Sequence, residues 1–447
     1  MDVQLLRAVQ AGDVQSVDEL VQTMPADALA GDEGSRLLRA AAFAGHADAV
    51  PALLDAGVDP TRAWGEGIDP VSWAADHGAS VFLQELLSSD LSPWRKQVPR
   101  RMERAALEIA RAWLTVDPEL ELRRRLGALQ DDSAVVECKQ IPVTDWGLRA
   151  TRIRLTLADG RQAEIQTSHR AIVTFLENRL DVPVSHDELL ARALFDADPQ
   201  SCDWMEAQVV LAQRPNPEET FRWAAGLVAH PSVSTRRFAT ELLHRLSFHE
   251  RRFKAEALET LRPRLRTEED PIALDSVIGA FAEYTGRGDV TGLLPHARHL
   301  DPEIRRRVAI ELVVAIGEPP QRAYRPDPPL IPFDTPPNVV ATLIELASDV
   351  DGQTRANALF TLADSGIDTT AVRDLMTAHL TDDYPAARVH AAAGLALRED
   401  LYGLEVLRQI GAGADFLTPV GQRVDSVERI LAHRAAERRN ADSSGET

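Results

Sequence analysis

Twelve histidines and two cysteines are the residues of this 447-residue chain best suited to metal binding or nucleophilic chemistry. His296 and His299 stand at i, i+3, which sets both rings on one helical face, but no carboxylate or thiol is spaced to complete a metal shell. His244, His249 and Glu250 straddle an expected helix end and do not converge. The acid clusters Glu268-Glu269-Asp270 and Asp382-Asp383 precede helices, where their charge opposes the helix dipole instead of serving as paired acid and base. Cys138 and Cys202 are too few for a disulfide framework and read as small buried hydrophobes in a reducing compartment. Phosphate-cradling glycine loops, His-Glu-x-x-His, Cys-x-x-Cys and Gly-x-Ser-x-Gly are all missing from the sequence. The chain is therefore expected to be no enzyme and to carry neither cofactor nor metal.

Composition narrows the remaining classes. Apolar residues make up 44% and charged residues 26%, ordinary for a folded protein, while aromatics are scarce at 5%. Only three of the 49 basic residues are Lys, a bias read here as the signature of a GC-rich bacterial genome of actinobacterial type. The net charge of −20 repels phosphate backbones, which disfavours nucleic acid as a partner. It is also uneven: residues 1–90 hold 4 Arg against 15 acids, a net of −11. The basic run RKQVPRRMER at 95–104 reads as a solvated helix face. Neither a signal peptide nor a membrane span is visible, so a cytoplasmic location without membrane contact is expected.

The elements come next. Gly12, Gly45 and Gly78 are spaced by 33 residues twice, each after a short helix (LLRAVQAG, LLRAAAFAG, VSWAADHG). Ala8, Ala41 and Ala74 hold one position in these helices, where a small side chain allows close helix approach. A second helix follows each glycine, with apolar stripes such as Val50, Leu53 and Leu54. With His46 beside its glycine and AGVDP at 56–60, residues 3–90 resemble the ankyrin repeat. That resemblance implies stacked helix pairs with a concave binding face, and a His46 imidazole bridging neighbouring loops. It turns Trp73 toward the groove, with Phe43 and Asp76 nearby and Trp64 in the finger between repeats. Each of these side chains is either packed or presented to a partner.

From residue 93 the pattern changes. Helices are expected at 100–115 and 118–129, then AVVECKQIPV, LRATRIRLTL and RQAEIQTS alternate with period two around an Ala158-Asp159-Gly160 turn. This predicts a sheet of two or three strands, with Ile153, Leu155 and Leu157 buried and Arg152, Arg154 and Arg161 outward. The outward arginines either grip an acidic partner or are solvated. Helices return at 169–180 and 185–195, the latter opened by the capping box Ser185-x-x-Glu188.

Beyond residue 200 a turn Asp or Pro, an Arg and an Ala/Leu-rich helix recur, aligning Arg236, Leu274, Arg305, Arg355 and Arg388 at intervals of 38, 31, 50 and 33. This resembles HEAT repeats, whose Arg and turn Asp stitch neighbours together; Leu274 breaks the pattern. The interval of 50 holds a Pro-rich insertion, 318–337, read as a surface loop or a groove-filling one. Partner helices are expected at 290–299, 338–348 and 371–380, and a last one at 422–438.

The expected fold is thus mostly α: a solenoid of ankyrin repeats (1–92), an α/β connector with a β-hairpin (93–200), a HEAT-like array (201–440) and a disordered tail (441–447). The expected function is a scaffold or adaptor that binds another protein through concave repeat surfaces, with Phe43, Trp64, Trp73, Asp76, Arg152 and Arg154 as candidate contacts. The alternative is an immunity protein that neutralises a basic toxin, motivated by the acidity of 1–90. A lesser one is a HEAT-like DNA glycosylase using Trp204 or Trp223, or a lyase. Partner identity and oligomeric state are not specified by the sequence.

Overall fold

The computed structural model describes residues 3–25, 28–64, 67–88, 95–286, 289–315, 336–415 and 418–444. It is mostly helical, with one three-stranded antiparallel sheet. Residues 318–335 of the Pro-rich insertion lie outside the described residues. Among the described residues no helix is long and apolar enough to cross a membrane. The chain falls into two compact units, Met1–Thr220 and Phe221–Thr447.

In the first unit the 33-residue spacing corresponds to three helix pairs: Val3–Ala11 with Val14–Gln22, Asp32–Ala44 with Val50–Asp55, and Pro70–Asp76 with Ser80–Leu87. The glycines between them have positive φ, and two are required on packing grounds as well. A Cβ on Gly12 would meet the His46 ring at 2.5 Å, so that imidazole packs across to the preceding loop. A Cβ on Gly78 would come within 2.0 Å of the Gln166 carbonyl oxygen, on a strand far along the chain.

That second contact shows why residues 1–92 and 93–200 do not separate. One buried core runs from Leu5 and Leu53 through Ala106 and Leu107 to Ile172, Val173 and Leu176. Helices Arg100–Trp113 and His169–Arg179 continue the packing of the third pair instead of starting a new module. The basic run at 95 contributes to this join. Arg95 binds both oxygens of Asp55 at 2.6 and 2.7 Å, and Lys96 reaches Asp59 at 2.5 Å. Arg100, Arg101 and Arg104 are exposed on helix Arg100–Trp113, as expected of a solvated face. Arg95 and Lys96 precede that helix and neutralise part of the acidic N-terminal charge. Helix Cys202–Ala212 also belongs to the first unit, so the division falls at residue 220, not 200.

The sheet has the order β1 (Val135–Pro142), β2 (Arg149–Thr156), β3 (Gln162–Gln166). Gly160 turns β2 into β3 with φ of 86°. Leu155, Leu157 and Ile165 are buried against Trp113, Leu122 and Ala128, which supplies the cover that so small a sheet needs. Cys202 is buried, but Cys138, expected to be buried too, is exposed on β1.

Asp203 and Glu206 lie one turn apart on helix Cys202–Ala212, deep in this unit. Burial pushes each carboxyl up to about 7; an Ala171 N–H bond to Asp203 and a Gln84 bond to Glu206 oppose it. The folded pKa thus lies above the unfolded one. The native state keeps a proton that the unfolded chain has lost, so stability falls as pH rises from about 4 to about 7 and is flat above. Asp203→Asn should remove this cost while its amide oxygen still accepts from Ala171. Its gain in urea-unfolding free energy should be roughly 2–3 kcal/mol larger at pH 8 than at pH 5. Equal gains at both pH values would refute the buried-acid reading.

The second unit repeats one fastening. Arg236 grips Glu268 with two bonds (2.7 and 2.8 Å) while donating to the His230 and Pro231 carbonyls. Arg305 does the same to Asp349 (2.7 and 2.8 Å) and to His299 and Leu300. Arg355 holds Asp382 (2.7 and 2.9 Å) and the carbonyls of Asp349 and Val350. Arg388 reaches the Asp382 carbonyl. Leu274, in the same register, is buried, and the neighbouring contact is made differently: Gly279 leaves room for the Arg307 guanidinium, which a Cβ would meet at 1.8 Å. The helix expected at 290–299 is only a 3-10 turn, Leu294–Arg298, with Pro295 in its first turn. The last helix spans Pro419–Ser444, longer than expected and including the first four residues of the presumed tail.

Candidate functional site

The Gln166–Gly78 contact positions a cleft within the first unit. The Gln166 N–H donates to the His77 carbonyl at 2.8 Å, tying the end of β3 to the turn of the third helix pair. Between sheet and helix pairs lies a cleft of ≈ 1060 Å³. Phe43, Trp73 and His77 line its helical side, and Arg152, Arg154 and the whole of β3 line the other. Four of the six candidate residues, drawn from segments far apart in sequence, therefore share one cavity.

Their states differ. Phe43 is the penultimate residue of helix Asp32–Ala44 and is 59% exposed, with the Arg39 guanidinium 5.2 Å from its ring. Trp73 is buried and serves as floor: it stacks on His77 at 4.4 Å and meets Phe43 at 5.3 Å and Trp64 at 5.4 Å. Burial lowers the His77 pKa, with Asp76 opposing, and its Nδ1 lies 3.0 Å from the Trp73 carbonyl. Trp64 stands in the same aromatic cluster but does not line the cleft.

Asp76 does not line the cleft and is engaged within the chain. Its carboxylate accepts from Trp113 Nε1 at 3.0 Å and from both terminal nitrogens of Arg125 at 2.6 and 2.7 Å. Burial alone would raise its pKa; the Arg125 and Trp113 bonds outweigh that and lower it. The His169 ring stacks on Trp113 at 4.9 Å, and burial pushes its pKa down to about 4. Asp76 thus locks helix Pro118–Arg125, and with it the sheet, to the third helix pair.

On the sheet side Arg154 pairs with Glu164 at 2.7 Å. Arg152 does not: its Nε is buried without a hydrogen-bond partner. Arg161 turns away from the cleft and binds Asp159 and the Leu126 carbonyl. The residue missed from sequence is Trp146, 66% exposed in the β1–β2 connection and lining the cleft. The available signal was Asp145-Trp146-Gly147 between two alternating stretches, a turn that leaves an indole with no core to enter.

Two of the aromatics are exposed, the Arg152 Nε lacks a partner, and the two histidines that line the cleft are packed, His46 against Gly12 and His77 on Trp73. Among the described residues no group of three His, Cys, Asp or Glu could hold a metal ion. Of the two tryptophans named for base stacking, Trp204 is buried and Trp223 half-buried.

No family model matches the chain, and no curated protein matches it. Among solved structures, YibA of Escherichia coli is similar at a TM-score of 0.40 and 16% identity, covering 57% of this chain and 96% of its own. An engineered protein is similar at 0.35 and 18%, covering 48% and 97%. Likenesses this slight carry no argument.

Proposed function

We propose that this chain is a non-catalytic repeat protein that binds another protein, with the 43–166 cleft as a principal contact. Residues 3–90 are read as ankyrin-type repeats and residues 201–440 as a HEAT-like solenoid. The recurrent glycines support the first reading and the arginine clamps the second. The observation that carries the functional proposal is the convergence of exposed Phe43 and Trp146 with the unpartnered Arg152 on one cleft. Exposed aromatics and arginine are what protein interfaces concentrate at their centres.

A photo-crosslinking residue at position 146 in the living cell tests this. A discrete protein adduct is expected there and none from position 120, also exposed but on a helix whose Leu120 does not line the cleft. Equal or absent adducts at both positions would refute the cleft as the contact. The net of −11 over residues 1–90 supports a second reading, neutralisation of a basic toxin. In that case the adduct is a basic protein, and when the crosslinking is repeated in lysate its yield falls steeply with added salt.

A further inference from the structure

β3 is an edge strand, and its outer edge opens into the cleft. Hydrogen bonding in an antiparallel pair alternates, so the phase can be read from the ends. Thr167 N–H donates to the Thr151 carbonyl, and Leu157 N–H to the Arg161 carbonyl. With Ile153 opposite Ile165 and Leu155 opposite Ala163, it follows that Ala163 and Ile165 bond inward to β2. Gln162, Glu164 and Gln166 must point their backbone groups away from β2. Gln166 confirms the phase, because its N–H is the one taken by His77. Among the described residues no partner satisfies the outward N–H and C=O of Glu164 or Gln162. All five β3 residues line the cleft although their side chains alternate between faces, as an open edge requires.

An unpaired edge is normally covered, charged or bulged. Here it is protected at one end only, by the His77 carbonyl. On the same face of the sheet stands Arg152, directly opposite Gln166, with its buried Nε unpartnered. The acids around it do not fill that role. Glu164 is bound to Arg154, and burial pushes Glu85 toward its neutral form with Arg95 opposing. Asp48 and Asp145 are exposed. Phe43, from the helical side, and Trp146, from the β1–β2 connection, also line the cleft.

We propose that the cleft takes an extended peptide segment of a partner protein as a fourth strand on β3, continuing the pairing begun at His77 and placing a carboxylate side chain on Arg152. Main-chain bonds to Glu164 and Gln162 give affinity, and the charge on Arg152 with the aromatic wall gives selection. The inference rests on the cleft being a protein contact and specifies the form of the ligand.

The test is a phage-displayed random nonapeptide library panned against the full chain, followed by synthesis of the enriched peptide. The expected peptide carries one Asp or Glu and few glycines or prolines. Arg152→Ala should weaken its binding at least tenfold, with partial recovery in Arg152→Lys. Glu164→Pro removes an outward N–H while sparing the inward ladder, a position where an edge strand tolerates proline, and should also cost at least tenfold. If Glu164→Pro fails to fold, N-methylation decides: methyl groups on alternate peptide residues should abolish binding in one phase and leave it intact in the other.

A peptide that Phe43→Ser displaces, but that tolerates N-methylation in both phases, overturns strand addition and leaves the cleft reading standing. Peptides indifferent to both Phe43→Ser and Arg152→Ala overturn both. Sedimentation showing a dimer that Glu164→Pro dissociates would make a second copy of this chain the occupant and overturn the peptide.

Discussion

Leu53→Ala is expected to destabilise the whole first unit by about 2–5 kcal/mol, not the N-terminal repeats alone. Leu53 is 0% exposed on helix Val50–Asp55. Truncation loses the transfer free energy of its methyl and methylene groups and leaves a cavity that a close-packed interior fills only in part. The reach of the effect follows from core continuity, because Leu53 belongs to the buried cluster that ends at Ile172, Val173 and Leu176. Hydrogen exchange would register this as a common loss of protection in residues 50–55 and 170–179. If only residues 3–90 lose protection, the repeats fold as a separate block and the continuous core is energetically irrelevant.

The second large effect is expected in the other unit. Arg305→Ala should cost about 3 kcal/mol, because it strips a half-enclosed carboxylate of its cation. The side chains of Arg305 and Asp349 are each 12% exposed, and Arg305 also satisfies two carbonyls of its own turn. Arg305→Lys should recover less than half, since an ammonium cannot hold Asp349 with two parallel bonds and reach those carbonyls as well. In a double-mutant cycle, Arg305→Ala with Asp349→Ala should cost much less than the sum of the single changes. Strict additivity would mean that the clamp adds nothing. Although burial opposes it, the Arg305 bond holds the Asp349 carboxyl below its ordinary pKa. This contribution is therefore present above pH about 4 and lost as acid titrates the native carboxylate.

Local periodicity made much of this fold readable. Glycines at positive φ recurring every 33 residues, the Asp159-Gly160 turn and the Arg236, Arg305 and Arg355 register each depend on a few neighbouring residues, and each has its structural counterpart. What sequence could not supply was pairing at a distance. Asp76 looked available for a partner, but Arg125, 49 residues on, occupies it. Arg95 looked solvated along with the helical arginines that follow it, but Asp55, 40 residues back, claims it. Residue 93 looked like a boundary because the period changed there; the core ignores the change. The cleft itself had half its wall legible, Phe43 and Trp73 from the repeat and Arg152 and Arg154 from alternation. Nothing in sequence said that the two halves face each other.

The lock between the sheet and the third helix pair has a kinetic consequence. Asp76 holds Arg125 and Trp113 together, and His77 holds Gln166 by a main-chain bond, so the two walls of the cleft meet through hydrogen bonds and ring stacking at one closed end. On the proposal above, a cleft whose walls are joined in this way is expected to need no opening step. Its occupant should arrive by simple bimolecular capture, with an observed rate that climbs linearly with ligand concentration and never saturates, and differences in affinity should lie in how long the occupant stays.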